Sequence, residues 1–362
     1  MRMLFVVSNL QGGGAEKAMV KLAEGLAARG HEVHFLVLEE SGDYPPPRGV
    51  QWQTLTHPPR RMSTGWLGKR VLALRLRAWF RRVTSAGPFD FAMSTLPFAD
   101  EVVRLARLSG FWFRISNTLS VEVEQLAHNR PRKAARRLAR YRRIYDGQQL
   151  IAVSQGVARD LGDTLGLRKA RIVTVYSPFD FDAIRRLADA PEPDLPTQPY
   201  LLHVGRFAKQ KRHDLLLDAF VAANLPHRLV LLVPPVPTLT AMIAARGLTG
   251  RVTVAGFRPN PYPWLAHASA LVLCSDYEGM PNVLVEALAC GTPVVSTDCP
   301  SGPREILTGP LQRYLVPRGD IGALARMLRE VIDAPPVVDL RVLAPFSQGA
   351  ALDAIESLAA TG

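Results

Sequence analysis

Met3-Leu4-Phe5-Val6-Val7-Ser8 runs into Asn9-Leu10-Gln11-Gly12-Gly13-Gly14-Ala15-Glu16, and this stretch decides the fold. The apolar run predicts a buried strand. Apolar residues then recur at Ala18, Met19, Leu22, Ala23, Leu26 and Ala27, the period of a helix packed along one face. Gly30 stops that helix, and residues 31–38 read as a second strand. A strand, a glycine loop, a helix and another strand, in that order, open a parallel doubly wound sheet. The glycines let a ligand approach the backbone closely, because they add no side chain and accept unusual dihedrals. A tight turn packed against the sheet would use them equally well. The spacing is not G-x-G-x-x-G and no later acid completes a dinucleotide fingerprint, so a dehydrogenase is disfavoured.

The alternation continues. Residues 90–95, 149–154 and 171–176 read as strands, and Ser177-Pro178-Phe179-Asp180 then breaks the pattern. Residues 189–199 are rich in Pro and acids, so the change of domain is expected in this region. Tyr200-Leu201-Leu202-His203-Val204 starts a second series of strands and helices, with strands near 229–233, 252–255, 271–275 and 294–297. Ser275-Asp276-Tyr277-Glu278-Gly279-Met280-Pro281-Asn282 leaves one of these strands, and a helix carrying Glu286 begins at Pro281. A helix N-terminus reached through such a loop offers free backbone N–H groups to an anion. It also suits a helix that simply starts well.

With 362 residues, the chain exceeds the usual size of one core, so two domains are expected. A 48% hydrophobic content and no apolar run of membrane-spanning length point to a globular chain. The N-terminus lacks the pattern of a secretory signal. Cys274, Cys290 and Cys299 form no disulfide framework and no metal-ligand spacing, and read as buried thiols in a reducing compartment. Lys and Arg number 44 against 32 Asp and Glu, which favours anionic partners. The excess is concentrated in residues 60–82, where Trp66, Leu67, Val71, Leu72, Leu74, Leu76, Trp79 and Phe80 interleave with basic residues, and in residues 128–143. Basic stretches with aromatic residues suit an anionic membrane surface, as they also suit a solvated helix face. No nucleic-acid-binding motif accompanies the charge, so a nucleic-acid partner is not expected.

In open α/β sheets, ligands bind beyond the C-terminal strand ends. Gly12 and Gly13, Arg206 and Lys211, Gly256 and Phe257, and residues 278–282 all fall there. Arg206, Lys211 and a helix N-terminus suit a diphosphate. Glu278 and Glu286, as ionised acids, suit vicinal hydroxyls. Together these read as a nucleotide-sugar site.

Glu278 and Glu286 are separated by seven residues. With Gly205-Arg206-x4-Lys211, Gly12-Gly13-x2-Glu16, Ala287-Leu288-Ala289-Cys290-Gly291-Thr292-Pro293, Ile151-Ala152-Val153-Ser154-x-Gly156 and Leu315-Val316-Pro317-x-Gly319-Asp320, the chain resembles the retaining glycosyltransferases of family four over nearly its whole length. The resemblance implies the GT-B fold: two Rossmann-like doubly wound α/β domains facing a cleft. It places an acceptor-binding domain at 1–180, a nucleotide-sugar-binding domain at 181–345, and a final helix at 346–362 that crosses back to the first domain.

The resemblance also implies roles. Arg206 and Lys211 would hold the donor diphosphate and neutralise the leaving group, and Glu286 would bind the ribose. Glu278, Gly279, Met280, Pro281 and Asn282 would hold the transferred sugar. Gly256 and Phe257 would border the base, and Gly12 and Gly13 would approach the phosphates and acceptor. Arg206, Lys211 and Glu278 are therefore the expected catalytic residues. Asn117, with Gly13, is expected on the acceptor side, where many relatives carry His. Ser177 precedes Pro178 where relatives often have Asn.

No cofactor and no metal is implied. The expected reaction moves a hexose or N-acetylhexosamine from a nucleotide sugar, UDP-linked, to a lipid-linked or cell-envelope glycan. It would occur in the cytoplasm, peripherally on the inner membrane face. The rival reading is a non-catalytic nucleotide-sugar-binding partner subunit.

Overall fold

The computed structural model describes residues 1–10, 13–39, 45–56 and 65–361. Its chain divides into two compact units, one of Met1–Pro178 with Gln348–Gly362 and one of Phe179–Ser347.

The first unit is built on a seven-stranded sheet: β1 (Arg2–Val7), β2 (Glu32–Val37), β3 (Gln51–Thr54), β4 (Phe91–Thr95), β5 (Phe111–Ile115), β6 (Gln149–Ala152) and β7 (Arg171–Thr174), in the order β3-β2-β1-β4-β5-β6-β7. Every pairing is parallel. The order reverses between β1 and β4, so the crevice of this sheet lies beyond their C-terminal ends. Met3 to Val7 are wholly buried, as a central parallel strand covered on both faces requires. The rings of Phe5 and Phe35 stack on adjacent strands, with centroids 6.4 Å apart.

The helix Gly14–Ala28 and the last helix, Gln348–Ala360, share one core with this sheet. Ala351, Leu352, Ile355 and Ala359 are buried in it. Gly25 is small because Leu352 lies there: a Cβ would stand 2.8 Å from Leu352 Cδ1. Arg29 bonds Asp353 at 2.7 Å and Glu356 at 2.8 Å, and Gln348 Nε2 donates to the carbonyl of Lys21 at 3.1 Å. The C-terminal helix thus returns to the N-terminal unit.

The second unit carries a six-stranded sheet: β8 (Tyr200–Val204), β9 (Arg228–Leu232), β10 (Val252–Val254), β11 (Ala270–Leu273), β12 (Val294–Thr297) and β13 (Leu315–Val316), ordered β10-β9-β8-β11-β12-β13. It too is parallel throughout. Its order reverses between β8 and β11. Entry and exit run side by side: the Phe179 N–H donates to the carbonyl of Phe346 at 3.1 Å. The change of unit therefore falls at the Pro178 turn. The Pro- and acid-rich residues 189–199, where a boundary was expected, lie inside the second unit, because the helix Phe181–Ala188 before them already packs on Tyr262–Ala266.

Three strands have no counterpart in the sequence reading, among them the two-residue β13 at the edge of the second sheet. β3 is a partly exposed edge strand, and β5 carries Arg114 inside an otherwise apolar run. In the basic stretch 128–143, His128 and Asn129 end the helix Leu119–Asn129, and Pro131 starts the helix Pro131–Tyr145 that carries the Lys and Arg residues from 132 onward.

Candidate functional site

The polar residues of the second unit gather at its switch point. After β8, Gly205 to Ala208 lead into a short turn, Lys209–Lys211. Arg212 follows in the left-handed region at φ 49°, and the helix His213–Ala223 begins. After β11, residues 274–281 form a loop and the helix Asn282–Ala289 begins. Pro281 sits just before the first helical residue, one position earlier than its preferred place.

Three consecutive residues clamp these loops together. Gln210 accepts from the Asp276 N–H at 2.8 Å through its carbonyl and donates to the carbonyl of Tyr277 at 2.6 Å through its side chain. Lys211 Nζ stands 2.6 Å from Glu278 Oε1. Arg212 pairs with Asp276 at 3.1 Å. Glu278 also accepts from the Ser275 hydroxyl at 2.5 Å and is only 7% exposed. An ammonium has three donors, so one bond to Glu278 leaves Lys211 with donors for a further anion. Arg206 is exposed and has no ion-pair partner among the described residues.

Beneath this clamp lie two buried imidazoles. His203 and His213 meet edge to face with centroids 4.9 Å apart, and His203 Nδ1 bonds the carbonyl of Val272 at 2.9 Å. Burial pushes their pKa values down to about 3 and about 4, so both are neutral at physiological pH. Positive charge on these loops therefore comes from Arg and Lys, not His. The three thiols are raised by burial and stay protonated.

Glu286 is buried on the helix Asn282–Ala289, and the Tyr262 hydroxyl donates to it at 3.3 Å. Glu278 is thus held by Lys211 and Ser275, and Glu286 by Tyr262. Asn282 Oδ1 is buried without a hydrogen-bond partner among the described residues. Gly256 turns the chain at φ 80° after β10, and Phe257 beside it is 61% exposed.

One glycine essential to this loop was not read from the sequence. Gly302 has φ 98°, and a Cβ there would stand 2.3 Å from Pro281 Cδ and 3.2 Å from Met280 Cα. Only glycine lets residue 302 back the 279–281 turn. Gln210, Arg212 and Asp276 were likewise missed. Their role lies in pairing across 64 or more residues, which no local pattern announces.

Two family models match the chain, "Glycosyltransferase Family 4" over residues 12–183 and "Glycosyl transferases group 1" over residues 198–334, and between them they take in most of it. This chain belongs to the family-four glycosyltransferases. The glycosyltransferase is 28% identical over 311 residues to an N-acetylgalactosaminyltransferase of Campylobacter jejuni whose named acceptor is a diphospho-undecaprenol-linked saccharide, covering 84% of this chain and 82% of that one. It is 26% identical to a lipopolysaccharide core biosynthesis glycosyltransferase of Rhizobium meliloti, covering 88% and 86%. Among solved structures, sucrose-phosphate synthase of Thermosynechococcus elongatus has a TM-score of 0.78 at 20% identity over 99% of this chain and 98% of that one. Anabaena HepE, solved with UDP-glucose, has a TM-score of 0.75 at 18% identity over the full length of both chains. The solved structures establish the GT-B fold, and the family models make the chain a glycosyltransferase.

In the first unit of the glycosyltransferase, Gly13 caps the helix Gly14–Ala28, and Gly12 lies outside the described residues. The buried Glu16 folds back over the cap so closely that a Cβ on Gly13 would stand 2.1 Å from its Oε2. Glu16 occupies the third helical position, in the first turn, where an acid suits the helix dipole. Asn117 is tied down: its Nδ2 donates to Glu122 at 2.6 Å, and Glu122 also accepts from Tyr141 at 2.8 Å. Arg114, at the C-terminal end of β5, is 1% exposed and bonded to the hydroxyls of Ser116 and Ser177 at 3.3 and 3.2 Å. Burial alone pushes its pKa down to about 10. Among the described residues no group of three or more potential metal ligands occurs.

Proposed function

We propose that this glycosyltransferase moves a hexose or N-acetylhexosamine from a UDP-linked donor to a hydroxyl of a lipid-linked or cell-envelope glycan, with retention of configuration, at an anionic membrane surface. The observation that carries the reading is the Lys211–Glu278 contact of 2.6 Å at the switch point of the second sheet. Glu278 holds the ammonium in place on loops that Gln210 and Arg212 already clamp, so the cation is in position before a donor arrives. Lys211 and the exposed Arg206 then oppose the charge that builds on the departing diphosphate, the term that dominates such sites. The N-terminus of the helix Asn282–Ala289 adds backbone donors for the same anion.

Glu286, fixed by Tyr262, accepts from the ribose hydroxyls, and the turn from Glu278 to Asn282 holds the sugar. The exposed Phe257 and the Gly256 corner border the base. In this reading the leaving phosphate takes the acceptor proton, and the positive partners of the diphosphate are protein groups, with no metal assigned. Gly13 and Asn117 belong to the acceptor side. Asn117 acts there through the position it gives Glu122, which its amide holds.

The UDP and acceptor assignments draw support from the relatives: one structural neighbour was solved with UDP-glucose, and one relative is named for a lipid-diphosphate-linked acceptor. The test is transfer from a panel of UDP-hexoses and UDP-N-acetylhexosamines to a polyprenyl-diphosphate-linked saccharide, with the new linkage read by NMR. An α-linked product from an α-linked donor is expected. A β-linked product would remove retention, and acceptor-dependent turnover with a GDP- or ADP-sugar alone would remove the UDP assignment.

A further inference from the structure

The two basic stretches, far apart in sequence, are fastened to one point. Glu101, on the helix Pro97–Leu105, accepts from Lys69 at 2.6 Å, from Arg140 at 2.7 Å and from Arg143 at 3.0 Å. Burial raises its carboxyl, but Lys69 and Arg140 outweigh that and hold it below the usual carboxylate range. One buried acid thus fixes the helix Trp66–Thr84 and the helix Pro131–Tyr145 against the same neighbour. Trp66–Thr84 carries six Lys or Arg and no acid, and Pro131–Tyr145 carries seven and no acid.

The outward face of Trp66–Thr84 is graded along its length. Trp66, Leu67, Val71 and Leu74 are 62%, 71%, 41% and 68% exposed, although the helix has a buried side formed by Leu72, Leu76 and Trp79. At 100° per residue these four share one face, and on the same face Arg77, Arg81 and Arg82 follow them in the C-terminal half. Arg70 lies over the Trp66 ring at 3.9 Å. So a helix end with bulky apolar residues in solvent passes into a helix end rich in arginine, beside a second helix that is basic throughout. A contiguous apolar patch of this kind needs a cover. Its cover must be apolar where the first turns meet it and negatively charged around them.

We infer that these two helices form a single docking face for an anionic phospholipid bilayer. Trp66, Leu67, Val71 and Leu74 enter the boundary between headgroups and acyl chains, and the arginines of both helices lie on the lipid phosphates. Nucleic acid would satisfy the charge but leave the apolar residues uncovered. This rests on the membrane-surface part of the proposed function and assigns it to particular residues. Glu101 keeps the two helices in one face and touches no lipid itself.

The experiment is flotation of the full-length chain with phosphatidylcholine vesicles, with and without roughly one-third phosphatidylglycerol, at low and high salt. Leu67→Ser/Leu74→Ser removes apolar insertion, and Arg81→Glu/Arg82→Glu reverses charge. The wild-type chain should float with anionic vesicles at low salt and not with neutral ones, and each double variant should bind at least about tenfold more weakly. Both variants should keep the wild-type Tm and UDP affinity, which separates lost docking from lost folding. Binding that is indifferent to both double variants, or absent from anionic vesicles at low salt, overturns the inference. Binding to an acidic protein but not to vesicles does so as well. Transfer to a water-soluble acceptor analogue stands apart. If it proceeds while docking fails, only this inference falls; if it fails while docking holds, the proposed reaction falls.

Discussion

Lys211 and Glu278, 67 residues apart in sequence, meet at 2.6 Å where the second sheet reverses its strand order. Neither is placed by its own segment alone. Lys211 ends a short turn after β8, Glu278 sits in the loop after β11, and Gln210 and Arg212 on either side of Lys211 bind Tyr277 and Asp276, the two residues just before Glu278. The pair is therefore part of the loop architecture as well as the cationic end of the donor site we propose.

A double-mutant cycle follows from that contact. Lys211→Met leaves a nearly buried carboxylate with its ion partner gone, which should cost about 3 kcal/mol of stability. Lys211→Met combined with Glu278→Gln should recover at least half of this, because no lone charge remains. Denaturant unfolding of the four proteins measures the coupling, and additive losses would show that the two side chains do not act as a pair.

Gly302→Ala tests the backing of the 279–281 turn. Its φ of 98° disfavours any side chain, and the new Cβ would meet Pro281 and Met280. The loop must shift, so donor affinity should fall about tenfold, equivalent to about 1.4 kcal/mol. The variant should also unfold at a lower temperature. Calorimetric titration with UDP beside a thermal melt checks both.

Asp100 predicts a pH signature. It is fully buried, accepts from Ser94 at 2.6 Å and Tyr145 at 2.8 Å, and burial raises its pKa to about 7. The folded chain therefore holds a proton that the unfolded chain releases near pH 4. This contribution is fully present below about pH 4 and is lost as pH rises through about 7, so it makes stability fall across that window. Asp100→Asn removes it. The Tm of the variant relative to wild type should rise from pH 5 to pH 8, and a constant difference would rule the assignment out.

Ile355→Ala tests the returning C-terminal helix. Ile355 is wholly buried in the core shared with Gly14–Ala28. Removing its branched chain should cost about 3 kcal/mol. Hydrogen exchange should quicken in Gly14–Ala28 as well as in Gln348–Ala360. Faster exchange confined to the last helix would mean that the two do not fold as one unit.

What the sequence disclosed and what it withheld divide along physical lines. β1, β8 and β11 are mostly apolar runs because parallel strands are covered on both faces, so they were legible. β5 was not, since Arg114 interrupts it, and a buried guanidinium held by two serines resembles a loop in one dimension. β3 was hidden by its place at the sheet edge, where polar residues flank the half-exposed Trp52. Arg206, Lys211, Glu278 and Glu286 announced themselves by spacing at strand ends. Gln210, Arg212, Asp276 and Gly302 did not, because each acts on a partner in another loop. The two basic stretches were visible one at a time, whereas their union on Glu101 exists only in the folded chain.

The central claim is that the second unit holds a nucleoside diphosphate through Lys211 and its ribose through Glu286. Titration calorimetry of UDP into the wild-type chain, Lys211→Ala and Glu286→Ala tests this most directly. The account predicts one UDP per wild-type chain and affinities at least about tenfold weaker in both variants, with folding retained. Equal UDP affinity in all three proteins would contradict it.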